Sequence, residues 1–341
     1  MKHIDLVLLG FGNVGQSLLK LLVDNDGYTR EGVRLRLHSI FDRKGGVAVA
    51  DREMSAILDA KRASGSVTSL EGGQRVRLAD ALAELSHGIL VDTSITDAAT
   101  GEPGFTPARE ALERGISVVF ASKGPLVARY RELSEIARER GARLGASAAV
   151  GIPLPTLEVG CLGIRGANLR RFRGIFNDTT NQILRDLEAG ITLEGSVERA
   201  RLEGTIEADP RLDLDGWDAA YKLLIVARAI WSPKLSLESV ATTGVGAIEK
   251  KQLDEARSRR RRIRLVATGE RGLEGAIHLK TEPESLGVED PLYALGPGEK
   301  ACVFETDVMG TISVKSSKGG PLATAACLIK DILNIAAPTA L

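Results

Sequence analysis

The chain has 341 residues, 43% hydrophobic and 26% charged, which is enough for two domains with sizeable cores. Its 45 Lys and Arg balance 45 Asp and Glu, so net charge lends nothing to a nucleic-acid or membrane-surface role. Three scattered cysteines (Cys161, Cys302, Cys327) form no C-x-x-C and suit a reducing cytosol, and the four histidines show no metal-ligand spacing.

Residues 4–10 read as a buried strand and 14–24 as a helix. Residues 33–41 alternate like a second strand. The Gly45-Gly46 and Gly72-Gly73 pairs read as loops. Strand 88–92, helix 107–114, strand 116–121 and helix 128–140 continue the alternation, which predicts an α/β fold with a doubly wound parallel sheet of the Rossmann type. The pattern then changes. Strand 170–177 and helix 180–188 are followed by a mostly apolar helix, 219–231, and a charged one, 253–261. Strand pairs 262–268 with 273–281, and 301–306 with 310–315, complete an α+β domain around a turn at 269–272, and helix 322–335 ends the pattern. The expected division is a dinucleotide-binding domain over 1–130 plus 305–341, and a dimerisation and catalytic domain over 131–304. No apolar run reaches the ~18–20 residues of a membrane helix. The N-terminus lacks the features of a signal peptide, so a cytoplasmic protein is expected.

Five constellations carry chemistry. Gly10-Phe11-Gly12-Asn13-Val14-Gly15 is G-x-G-x-x-G between a strand and a helix. The first glycine allows the tight turn, the second lets a pyrophosphate approach the backbone, and the third lets helix and strand pack closely. The second strand ends at Asp42-Arg43-Lys44. Asp42 there would accept a ribose hydroxyl and favour NAD, whereas Arg43 and Lys44 would hold a 2′-phosphate and favour NADP. Thr93 and Ser94, after strand 88–92, complete the candidate cofactor contacts on this edge. Lys123 stands past the carboxyl end of a strand, where it either binds a carbonyl or carboxylate or is a solvated loop lysine. The turn Gly151-Ile152-Pro153 reads as a hinge or helix entry, and Asn177-Asp178-Thr179-Thr180-Asn181 as a helix cap or a substrate-binding group.

Residues 207–222 are the most informative tract. Carboxylates stand at Glu207, Asp209, Asp213, Asp215 and Asp218, followed by Lys222. Asp218 and Lys222 share one face of a helix with little polar stripe, so the pair is expected to be buried and partnered. Arg259-Arg260-Arg261-Arg262 reads as a solvated helix end; nucleic-acid binding is its rival.

Together these segments resemble homoserine dehydrogenase over nearly the whole chain, in the family's order, without the C-terminal regulatory domain of longer relatives. The resemblance implies interconversion of L-aspartate 4-semialdehyde and L-homoserine with NAD or NADP, in a homodimer. It implies Lys222 as proton donor, with Asp218 and Lys123 in the catalytic group. Glu207, Asp213, Asp218 and Thr179 would bind the substrate, and Gly204, Gly320 and Lys123 would lie near the cofactor. The chain departs from the family at Ser122, Asp178 and Thr205. It also has Gly145 where a glutamate commonly helps hold a monovalent cation, so the metal is left open. Two rivals remain: the same fold reducing another small semialdehyde or hydroxy acid, and a nucleotide-sensing protein without turnover.

Overall fold

The computed structural model describes residues 1–25, 28–30, 32–49, 54–85, 88–203, 206 and 210–337. Strand β1 (Lys2–Leu9) forms where an apolar run is buried on both faces, with Leu6, Val7 and Leu8 wholly inaccessible. Helix α1 (Asn13–Asp24) follows and buries Leu18, Leu19 and Leu22 in the same core. The chain continues through β2 (Thr29–Arg30), β3 (Val33–Asp42), β4 (Gly45–Ala48), α2 (Met54–Ser64), β5 (Arg75–Val76) and α3 (Leu78–Ala83). It then runs through β6 (Gly88–Asp92), α4 (Phe105–Glu113), β7 (Ser117–Phe120), α5 (Gly124–Ala128), α6 (Tyr130–Arg140) and β8 (Leu144–Gly145). The sheet order is β5-β4-β3-β1-β6-β7-β8, with β2 beside β3. Strands β3, β1, β6, β7 and β8 are parallel, whereas β2, β4 and β5 pair antiparallel at one edge. The Gly45-Gly46 pair is therefore strand rather than loop: Gly46 pairs with both Phe41 and Val76. Glycine is required at 46 because a Cβ there would lie 2.2 Å from the Phe41 ring.

The second unit opens with a single helical turn, α7 (Thr156–Glu158), which runs into a π-turn at Val159–Gly163. Then come β9 (Leu169–Ile175), α8 (Asp178–Glu188), α9 (Leu193–Leu202), α10 (Arg211–Leu214), α11 (Trp217–Ile230), β10 (Val240–Thr242) and α12 (Lys250–Ser258). Strands β11 (Arg262–Arg271), β12 (Ile277–Leu286), β13 (Lys300–Thr306) and β14 (Thr311–Ser316) finish the sheet, in the order β10-β12-β11-β9-β13-β14. All neighbours are antiparallel except β10 and β12. Alternation along β11 splits the core. Leu265 packs with Leu184 and Ala219 from the helices, and Val266 packs with Leu286, Leu292 and Leu295 on the opposite face. Strand β11 runs on to Arg271, past the turn expected at 269–272, because ten residues pair continuously with β12.

Helix α13 (Pro321–Ala336) returns to the first unit, where Leu328, Ile329 and Ile332 join the core of α1 and the parallel sheet. The two units are Met1–Pro153 with Gly319–Leu341, and Leu154–Lys318. These boundaries differ from the expected 130/131 and 304/305. Helix α6 packs on α4 of the first unit, and β13 and β14 are strands of the second sheet. The first crossing falls directly after Gly151-Ile152-Pro153, whose Ile152–Pro153 bond is cis.

Candidate active site

In the first unit the chain leaves β1 into α1, and β3 and β6 flank β1 on opposite sides. The crevice at the carboxyl ends of β1 and β6 is therefore a topological switch point, where open α/β sheets bind ligands. Thr93 ties the two ends together: its N–H donates to Leu9 O at 2.7 Å and its Oγ1 to Gly10 O at 2.7 Å. The three glycines have separate reasons to be there. Gly10 has φ +93°, and a Cβ on it would lie 2.6 Å from the Thr93 backbone. A Cβ on Gly15 would lie 2.6 Å from Gly10 O, so this residue sets the approach of helix to strand. A Cβ on Gly12 would meet nothing within 4 Å, and its φ of −83° suits any residue. The fold does not require glycine at 12, whereas a bound group filling that space would. Helix α1 has no side-chain cap, so the first-turn amides at Asn13, Val14 and Gly15 remain open to an anion. These features fit a dinucleotide pyrophosphate.

At the end of β3, Asp42 is nearly enclosed and fully engaged. Its Oδ1 accepts the Lys44 amide (2.9 Å) and Ser66 Oγ (3.1 Å), and its Oδ2 accepts Lys61 Nζ (2.9 Å) and the Val67 amide (2.8 Å). Burial by itself would raise this carboxyl, but the Lys61 ammonium, the two amides and the hydroxyl outweigh it and hold the group below the ordinary carboxylate range. The side chains of Arg43 and Lys44 are exposed. Lys123 precedes α5, half-buried, and its N–H donates to Thr96 Oγ1 at 3.2 Å. Gly320, at φ +89°, stands at the N-terminus of α13. Asp92, outside every motif of the sequence, is wholly buried at the end of β6. Its Oδ1 accepts the Ser94 amide at 2.9 Å, while Oδ2 has no donor among the described residues. Burial pushes this carboxyl up, only partly offset by Ser94 and Ser122. The signal for it was an acid at the last position of an otherwise apolar strand.

In the second unit, α11 buries Ala219, Ala220 and the run from Leu223 to Arg228, and carries the Asp218–Lys222 pair on its remaining face. Lys222 Nζ donates to Asp218 Oδ2 at 2.5 Å and to Phe176 O at 3.0 Å, and the side chains are 15% and 18% exposed. Among the described residues these are its only acceptors, so the third N–H of the ammonium is left over. Asn177 joins the group. Its Nδ2 donates to Asp213 Oδ1 (2.6 Å) and Asp218 Oδ2 (3.0 Å), and its Oδ1 accepts the Thr180 amide as the cap of α8 (3.1 Å). Asn181, also buried, holds Asn177 O at 2.9 Å and accepts the Leu265 amide of β11 at 3.2 Å. Asn177 is thus both cap and cross-link, a role hidden in sequence because its partners lie 36 and 41 residues away.

Thr179 sits half-buried in the first turn of α8. Asp178, which departs from the family pattern, accepts Arg185 Nη2 and the Gly298 amide, both at 3.1 Å, so it is committed to its own unit. Glu207, Gly204 and Thr205 lie outside the described residues. At Gly145 a Cβ would lie 2.9 Å from Asp331 Cβ and 3.0 Å from Val119, so a larger side chain does not fit without displacement. Asp331 Oδ2 accepts the Ser147 amide there at 2.8 Å. No group of three or more His, Cys, Asp or Glu among the described residues is arranged to hold a metal ion. No helix among them is long and apolar enough to cross a membrane.

Residues 155–333 match the family model for homoserine dehydrogenase. The chain is 28% identical to an NAD(+)-dependent homoserine dehydrogenase of Pseudomonas canavaninivorans, covering 98% of this chain and 97% of that one. Its fold is similar to that of a hyperthermophilic archaeal homoserine dehydrogenase in complex with NADPH, with a TM-score of 0.85, 26% identity and 99% of each chain covered. A putative homoserine dehydrogenase from Archaeoglobus fulgidus is similar at TM-score 0.84 and 29% identity, covering 97% of this chain and 99% of that one.

Proposed function

The chain belongs to the homoserine dehydrogenase family and is an NAD(P)-dependent oxidoreductase interconverting L-aspartate 4-semialdehyde and L-homoserine; from that premise we propose that Lys222 is its proton donor. The observation that carries this is the ammonium fixed by Asp218 and Phe176 O with one N–H to spare. The nicotinamide supplies or takes the hydride. Reduction of the aldehyde places negative charge on its oxygen. The spare N–H of Lys222 stabilises that charge and delivers the proton. In the oxidative direction the hydroxyl proton returns to the Lys222 nitrogen. Asn177 keeps Asp218 and Asp213 at a fixed separation, and Asp218 keeps the ammonium from turning. Glu207 and Asp213 bind the substrate's amino group, and Thr179 or Lys123 its carboxylate. Asp178, already bonded to Arg185, gives no support to a different substrate.

Within NAD(P), the turn after β3 favours NADP. All four lone-pair positions of Asp42 are occupied by donors of the protein, so no acceptor is left for a ribose 2′-hydroxyl. Arg43 and Lys44 suit a 2′-phosphate instead. The same proposal takes the working form to be a cytoplasmic homodimer. The test is reduced-nicotinamide absorbance with homoserine, offering NAD and NADP separately. Turnover is expected with both, with kcat/KM favouring NADP by roughly tenfold. Absence of turnover with either cofactor sinks the enzymatic assignment, and a preference for NAD sinks the reading of Asp42.

A further inference from the structure

The four arginines at 259–262 do not all lie on a solvated helix end. Arg257, Arg260, Arg261 and Arg262 line one cavity of about 490 Å³ with Arg185 and Tyr293, within the second unit. That volume lies in the range of small-molecule sites. The carboxylate of the lining and the partner of Arg185 are already committed. Glu188, the single acid in the lining, takes both Nη atoms of the buried Arg264 (2.7 and 3.2 Å), and Asp178 takes Arg185. The remaining guanidiniums have neutral partners or none. Arg261 Nε donates to Ser285 Oγ at 3.0 Å, and Arg262 lies 4.7 Å over the Tyr293 ring. Arg257 and Arg260 are exposed and have no carboxylate partner among the described residues. Arg260 is also in the left-handed region, φ +55°, where α12 ends and the Arg261 amide reaches Ala256 O at 2.8 Å. Glycine is the unstrained residue for that position, and the chain has an arginine there. In a protein of zero net charge, four guanidiniums without a carboxylate partner among the described residues, in one concavity, are a concentrated anion receptor.

We propose that this cavity binds a small polyanion, a metabolite bearing two or more phosphate or carboxylate groups. The guanidiniums would engage its oxygens while the Tyr293 side chain packs against its carbon frame. The test is calorimetric titration of the full-length protein and its R257Q/R260Q variant, at low ionic strength, with tripolyphosphate and with citrate as probes. The glycine turn is common to both proteins, so their difference reports on the cavity alone. Expected is saturable binding of at least one probe to the unmodified protein, weakened roughly tenfold or more in the variant, with unchanged thermal midpoint and unchanged homoserine oxidation in the absence of polyanion. The probe that binds distinguishes phosphate from carboxylate. Equal affinity in the two proteins, or no binding of either probe, overturns the proposal. So does tighter binding of a single-stranded oligonucleotide than of both probes, lost in R257Q/R260Q, which would make the patch a nucleic-acid surface.

Discussion

The glycine turn of the first unit and the lysine cluster of the second are built on opposite plans. At the turn, backbone amides and empty space are the working parts; no side chain caps α1, and a Cβ on Gly12 would touch nothing. At the cluster, side chains do the work, and nearly every polar atom described is bonded, from Asn181 through Asn177 and Asp218 to Lys222. A site made of main chain is disturbed by adding atoms, and a site made of side chains by removing them.

The sharpest way to break that contrast is Lys222→Ala. It should lower kcat ~10²–10⁴-fold, the usual loss for a positioned acid–base group, while the Kd for NADP changes little. A near-normal rate would remove Lys222 from the chemistry. Next comes the pair Gly10→Ala and Gly12→Val. Gly10→Ala combines positive φ with a 2.6 Å clash against backbone and should cost about 2–4 kcal/mol in urea unfolding. Gly12→Val should unfold within about 0.5 kcal/mol of the parent, yet bind NADP at least roughly tenfold more weakly. Equal stability losses in the two would mean that both glycines serve the fold alone. Asn177→Ala removes a cap and a cross-link together. A loss of about 1–2 kcal/mol is expected from the cap, with kcat falling more than KM rises, and restoration of the cap but not of kcat by Asn177→Ser. If Ser restored both, the link to Asp213 and Asp218 would be idle.

The smallest effects are in acid stability. The Asp42 carboxyl is lower in the folded chain than in the unfolded one, so its contribution is present above the unfolded value and lost as pH falls through the folded value. Asp42→Asn should therefore lose less stability than the parent on acidification below about pH 4. Asp92 has the opposite sign: its folded value is raised, so stability is lost as pH rises from the unfolded value through the folded one. Asp92→Asn should recover stability near neutrality. Parallel urea midpoints for parent and variant across the acid range would deny either carboxylate its assigned role.

Much of this was legible in the chain. Strand, glycine turn and helix over residues 2–24 follow from periodicity and spacing, and the i,i+4 pair on α11 from a helix with too few polar positions to hide it. What could not be read depends on distant partners. The Gly45-Gly46 strand exists because Phe41 and Arg75-Val76 flank it. Helix α2 has little amphipathic contrast and escaped notice. The unit boundary at 318/319 follows from the pairing of β13 with β9, far earlier in the chain, which no local signal reports. That the Asp42 carboxylate is engaged within the protein is hidden in sequence because Lys61, Ser66 and Val67 are remote from it.

The return of α13 to the first unit has a consequence for how the protein is made. Leu328, Ile329 and Ile332 complete the packing around Leu18, Leu19 and Leu22, yet they are synthesised some three hundred residues later. The second unit is contiguous in sequence and can assemble while the ribosome is still translating. The first unit, though begun first, completes its core only once α13 has emerged. Nascent-chain proteolysis would reveal protection of 154–318 before that of 1–153.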